Sequence, residues 1–242
     1  MALMWATHDA FRTVFWWAVL PACIAVALLV VGVREPALPP GVRKVRAPLS
    51  RAELGRLGRG YWWIVAIGTV FTLARFSEAF LLLRAQEQGV PLTWAPLALV
   101  LMSVAYAASA YPAGALSDRI ERARLLMLGL LLLVAADLAL AWLPGFAGLA
   151  LGAVLWGLHM GFTQGLFAAL VADAAPAELR GTAFGMFNLL TGVALLGASV
   201  IAGVLWDRLG ATSTFTVGAG FALVALLGLG WLRARGLSGT PT

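Results

Sequence analysis

Leu125-Leu-Met-Leu-Gly129-Leu-Leu-Leu-Leu-Val-Ala-Ala-Asp137-Leu-Ala-Leu-Ala-Trp142-Leu143 is the stretch that decides the fold. It carries one charge and is otherwise apolar, so no face of it suits water. A run of about 20 such residues crosses the roughly 30 Å hydrocarbon core of a bilayer as an α-helix, which satisfies every backbone polar group within one segment. Arg119, Arg122 and Arg124 stand immediately before it. A basic flank beside an apolar run marks the cytoplasmic end of a span.

Six further apolar runs flank this one. The spans are expected at Phe11–Val33, Tyr61–Leu83, Thr93–Leu116, Leu125–Leu143, Ala147–Ala172, Thr182–Trp206 and Ser213–Leu232. Threaded in turn, they put 13 of the 17 basic residues on one face. These are Arg34, Arg43, Lys44, Arg46, Arg51, Arg56 and Arg59, then Arg119, Arg122 and Arg124, then Arg180, then Arg233 and Arg235. The other face holds Arg12, Arg84 and Arg208, and Arg75 lies inside a span. The bias predicts a cytoplasmic C-terminus and an outside N-terminus. The expected class is all-α: a polytopic protein of the cell membrane with seven transmembrane helices.

Composition agrees. Hydrophobic residues make up 62% of the 242 residues and charged ones 12%, against about 45–50% and 25% in soluble domains. The net charge of +6 follows membrane topology rather than a nucleic-acid footprint, because no basic stripe interleaves with aromatics. Trp16, Trp17, Trp62, Trp63, Trp94, Trp142, Trp206 and Trp231 sit near span ends, where amphipathic rings prefer the headgroup level. Cys23 is the only cysteine, which rules out an internal disulfide or a thiolate metal cluster. No cofactor is expected. The first span is too long and too weakly basic to read as a cleaved signal peptide.

Residues 1–33 then form a single span, 34–60 a cytoplasmic linker, and 61–242 a group of six closely spaced spans. The linker holds Pro36, Pro39, Pro40 and Pro48. Its end has capping-box spacing at Ser50 and Glu53, with Leu54 and Leu57 on one face, which predicts a short amphipathic helix on the inner leaflet. Small residues at Gly157, Gly161 and Gly165, at Gly181 and Gly185, and at Ala110 and Gly114 predict close helix contacts.

The loop Gly114-Ala-Leu-Ser-Asp118-Arg119-Ile-Glu121-Arg122-Ala-Arg124 resembles the signature loop of the major facilitator superfamily. Glu121 stands where a glycine is usual, and Ala123 interrupts the basic pair. Asp173-Ala-Ala-Pro-Ala-Glu178-Leu-Arg180-Gly181-Thr-Ala-Phe-Gly185 looks like the segment joining helices ten and eleven of such transporters. Phe11-Arg12 through Arg34-Glu35-Pro36 looks like helix six and the start of the central loop. The resemblance spans essentially the whole chain. It implies helices six to twelve, six of them forming the C-terminal half-bundle. It also implies a secondary active transporter of small molecules, expected to be proton-coupled and to work by alternating access. Bacterial drug- or metabolite-proton antiporters are the usual company of such sequences. The missing N-terminal six-helix half, or a second copy, is the expected partner besides lipid.

Ionisable groups inside spans are functional candidates by default. Arg75 and Glu78, three apart, are expected to share a helix face and pair. The resemblance places them, with His159 and Gln164, on helices seven and ten, which line the central cavity. There, protonation of Glu78 would release Arg75 for an anionic substrate; a static neutralising pair is the structural alternative. Asp137, which the resemblance places on the peripheral helix nine, is a further candidate for substrate or proton coupling, with a bond to a neighbouring helix or to Arg75 as the alternative; for His159 the alternative is a hydrogen-bonded helix contact. Asn188 is a further polar candidate for substrate or proton coupling, and polar bonding between helices explains it equally well. Gly114, Asp118, Arg119, Arg122, Asp173 and Arg180 form the expected cytoplasmic gate, with Arg119 and Arg122 reaching Asp173; ordinary positive-inside charge explains part of that set.

Rival classes are narrowed. A retinal protein needs a lysine in a span, and Lys44, the only one, lies in the linker. There is no His-Glu-x-x-His, and Gly197-Ala-Ser199 lacks the second glycine of a nucleophile elbow, so no enzyme is expected. A receptor-like seven-helix protein or a non-transporting partner subunit remains open at this point.

Overall fold

A computed structural model describes residues 11–32 and 51–234. The N-terminal segment, most of the proline-rich linker with Ser50 of the capping box, and the tail from Arg235 lie outside the described residues. Among the described residues there are only helices and short connections. They are α1 (Phe11–Gly32), α2 (Arg51–Arg56), α3 (Arg59–Leu73), α4 (Ala79–Glu87), α5 (Leu97–Ser117), α6 (Arg122–Trp142) and α7 (Gly145–Ala174). A 3-10 turn follows at Ala177–Leu179. The stretch Arg180–Ala234 is helical except at Gly210, which divides it into α8 (180–209) and α9 (211–234).

Among the described residues four helical stretches are long and apolar enough to cross a membrane: Leu97–Ser117, Arg122–Trp142, Gly145–Ala174 and Ala177–Trp231. The last has 55 residues, about 80 Å at 1.5 Å per residue and more than twice the hydrocarbon thickness. It folds back at Gly210, whose φ of +82° is open to glycine at no steric cost. Thr214 donates to the Ala202 carbonyl and Trp206 meets Phe215, so α8 and α9 run antiparallel. The expected connector between them shrinks to a single residue.

α7 is the centre of the packing, touching α5 on one side and α6 on the other. A Cβ at Gly157 would collide with the Met102 carbonyl, and one at Gly161 with the Ser109 hydroxyl. Two glycines one turn apart thus let the backbones of α5 and α7 approach closely. Ala110 shares this contact, its backbone nitrogen 3.1 Å from where a Gly161 Cβ would stand, whereas Gly165, Gly181, Gly185 and Gly114 have open space at that point and mark no close contact here. α6 packs against the α8–α9 hairpin, and α3 against α8. Every described side chain of α1 is exposed.

Two expectations change. The second span is not one helix: α3 stops at Leu73 and α4 starts at Ala79. The amphipathic linker helix does not lie free on a lipid surface. Leu57 is buried beside Tyr61, Val65, Val171, Leu179 and Ala183, with Leu54 packed against the same group. The apolar face at Leu54 and Leu57 finds protein rather than lipid.

Candidate functional site

The break between α3 and α4 builds the site. Ala74 and Arg75 donate to carbonyls three residues back, Phe71 at 3.1 Å and Thr72 at 3.0 Å, which tightens and ends α3. The Ser77 hydroxyl accepts the Ala79 N–H at 3.3 Å, a local bond that competes with helix continuation. The Ser77 N–H in turn donates to Ser199 Oγ on α8 at 3.2 Å. Phe76 turns inward, 4% exposed, with its ring against Phe80, Trp156 and Phe215. Irregular backbone is tolerated at membrane depth where it lines a cavity. Here Arg75, Ser77 and Glu78 line one of about 400 Å³, closed on the far side by Gly192, Leu195, Leu196 and Ser199 of α8.

Arg75 and Glu78 are both half-buried. The expected helical pairing does not form: they sit in the break, and among the described residues no ion pair joins them. Arg75 lies within electrostatic reach of Glu78, Tyr106 and His159. Tyr106 on α5 donates to Gln164 Oε1 on α7 at 3.1 Å. That tyrosine was missed in the sequence reading, and its one signal is a phenol in a run of small and apolar residues.

The remaining intramembrane candidates separate. His159 is fully buried, its Nδ1 2.8 Å from the Gly129 carbonyl and its ring stacked on Phe71. It joins α7 to α6 and α3 and does not line the cavity. Asp137 is fully buried beside Gly218 and Phe76. Asn188 is exposed on α8. Among the described residues no three His, Cys, Asp or Glu side chains cluster as metal ligands.

At the basic end of the bundle Arg122 pairs with Asp173, linking the start of α6 to the end of α7. Asp118, Arg119 and Arg180 are exposed and make no ion pair among the described residues; Arg119 does not reach Asp173. The stronger contact was not anticipated. Arg233 Nε donates to both Glu121 oxygens at 3.1 and 3.0 Å, and its NH2 stands 2.9 Å from one of them. Glu121 also faces Arg124 at 3.4 Å. The residue that departs from the loop pattern therefore ties α6 to the end of α9. Nearby, the Tyr61 hydroxyl donates to the Ala183 carbonyl at 2.9 Å.

Residues 2–198 match the family model described as Major Facilitator Superfamily. The chain is 33% identical over 167 residues to an uncharacterized MFS-type transporter of Methanocaldococcus jannaschii, covering 66% of this chain and 42% of that protein. It is 30% identical over 144 residues to a D-xylose transporter of Levilactobacillus brevis, covering 59% of this chain and 29% of the relative. Over 92 residues it is 34% identical to the galactose-proton symporter of Escherichia coli, covering 38% of this chain and 20% of the symporter. The chain thus spans less than half the length of these curated relatives.

Proposed function

The chain belongs to the major facilitator superfamily, a family of multi-pass membrane transporters, and we propose that it is the C-terminal part of a proton-coupled transporter. In this reading α1, the α3–α4 pair, α5, α6, α7, α8 and α9 make seven crossings, with the basic end in the cytoplasm and the N-terminus outside. Residues 61–242 form one six-helix half, which rocks against an N-terminal half or a second copy around a midplane site. The observation that carries the reading is the break at Ala74–Glu78, which places Arg75 and Glu78 on a cavity between α3–α4 and α8. Discontinuous helices are where such transporters hold substrate and coupling ion.

Each residue has a task in this reading. Glu78 accepts and returns the proton. Arg75 changes partner as Glu78 changes charge. Ser77 and Ser199 hold the break open, and Gln164, oriented by Tyr106, presents its amide to substrate. Asn188, exposed on α8, faces the opposing half. The basic-end set around Asp118 and Arg122–Asp173 closes the cytoplasmic side and opens it in turn. Relatives named for D-xylose and galactose make monosaccharides the first substrates to test.

The test is uptake of labelled D-xylose and D-galactose by vesicles holding this chain together with its N-terminal half, with and without an imposed proton gradient. Glu78→Gln is expected to abolish gradient-driven accumulation while exchange at equilibrium persists. Accumulation unchanged in that variant shows Glu78 to be structural and sinks the coupling assignment.

A further inference from the structure

We propose that Asp137 is a proton-binding site occluded from the Arg75–Glu78 cavity by the ring of Phe76. Neither carboxyl oxygen of Asp137 touches solvent or meets a hydrogen-bond donor. A charge held that way is far costlier than a neutral acid, so the group carries a proton in this state. Among the described residues no cation is placed to serve instead. On α6 itself the charged residues are Arg122 and Arg124, at the other end of the helix. From α7 comes His159, whose ring nitrogen faces Gly129 two turns away. From α4 comes Arg84, taken up by Glu87 and by the Ala141 carbonyl. From α9 come Gly218 and Thr214, the latter bonded to the Ala202 and Gly210 carbonyls. Arg75 and Glu78 line the cavity.

Two observations show that room is built for this acid. A Cβ at position 218 would lie 2.8 Å from Asp137 Oδ2 and 2.9 Å from Phe76 Cε1, so glycine leaves the space that carboxyl and ring share. The indole N–H of Trp156, equally buried, is a second unpartnered group, and that indole meets the same Phe76 ring edge-on at 5.4 Å between centroids. Buried polar groups are nearly always satisfied. Here an acid and a donor, both unsatisfied, border one phenyl ring, and that ring belongs to the break whose neighbouring residues line the cavity.

Displacement of Phe76 admits cavity water to both groups. On release the Asp137 O–H bond breaks and the proton passes to that water. The carboxylate left behind accepts from water, and uptake reverses each step. The site goes beyond the transporter reading and needs only the folded bundle in lipid, so either idea can fail without the other.

Infrared spectra of the full chain in lipid vesicles, with aspartate labelled by carbon-13 at the side-chain carboxyl, test the idea. Among the described residues Asp118, Asp173 and Asp207 are exposed and Asp137 is not, so in the Asp9→Asn background, which removes the one labelled aspartate outside the described residues, a label-shifted carboxylic-acid C=O band in neutral buffer is expected from Asp137. It should vanish in Asp137→Asn and persist in Glu78→Gln. Its shift on transfer to heavy water should be slow in the native chain and fast in Phe76→Ala. If Asp137→Asn does not insert, the labelled spectrum of Asp9→Asn decides. Carboxylate bands only, in the native chain at neutral pH, overturn the site; equally fast exchange with and without the Phe76 ring overturns the occlusion.

Discussion

α7 runs unbroken for 30 residues, while the segment it meets across Phe71 and Phe76 stops after 15 residues and restarts beyond Glu78. Both contain polar side chains at membrane depth, and they treat them in opposite ways. In α7 the Thr163 hydroxyl returns to the His159 carbonyl one turn back, and the His159 ring reaches the Gly129 carbonyl. Those groups are absorbed into the packing. In the break, Ser77 bonds across to α8 and the charged pair Arg75 and Glu78 opens onto a cavity. Polarity within a span is therefore a weak sign of function by itself. What separates the two regions is whether packed helices enclose the polar group, as at His159 and Thr163, or a cavity receives it.

If α5, α6 and α7 form the fixed wall, its most buried aromatic should matter most. Trp156 has no exposure and sits among Leu133, Leu140, Met102 and Phe76 in the main core. Trp156→Ala is expected to cost about 3–5 kcal/mol, read as a lowered thermal midpoint of the solubilised chain. Leu196→Ala on the cavity wall, 66% exposed, should stay within about 0.5 kcal/mol of the parent. Similar losses for both would erase the distinction between wall and working face.

The break itself sharpens the comparison at a smaller scale. The Ser77–Ser199 contact joins residues 122 apart in the chain. One hydrogen bond of this kind contributes about 0.5–1.5 kcal/mol, with intramembrane polar contacts averaging roughly 0.6. The bond runs from the Ser77 N–H, so Ser199→Ala removes it directly. Ser77→Ala removes only the local bond to Ala79. The two changes should therefore add in unfolding measurements. Strong coupling between them would mean that the break collapses into a continuous helix once either support is lost.

The sequence made the wall legible and the break opaque. Leu97–Ser117, Arg122–Trp142 and Gly145–Ala174 match the expected spans because long apolar runs have one solution in lipid. Residues 61–83 are apolar enough to promise the same. What interrupts them is a serine that bonds its own backbone and another serine on α8, and the second event cannot be read locally. Arg75 and Glu78 stood out as charges, but their placement in a break rather than on a helix face did not. Tyr106 was hidden because a tyrosine in an apolar run looks like packing. Glu121 was visible only as a departure from a loop pattern, since its partner Arg233 lies 112 residues away.

The smallest effect is expected at the basic end, where the charges form two kinds of contact. Arg122 and Asp173 have side chains 31% and 62% exposed, so water and salt screen their attraction; such a pair is worth about 0–1 kcal/mol. Arg122→Ala should lower the thermal midpoint slightly, and the difference should shrink further in high salt. Glu121→Gln should cost more, because Arg233 grips that carboxylate with Nε and NH2 together, and forked charge-assisted bonds are stronger than single ones. Asp118→Asn has no ion pair to lose among the described residues, so stability should not change; slowed turnover in the assembled transporter would then be a gating effect rather than a folding one. If Arg122→Ala instead costs as much as Trp156→Ala, the basic end belongs to the scaffold. The exposed charges there would then be fastening helices rather than waiting for a partner that comes and goes with each access state.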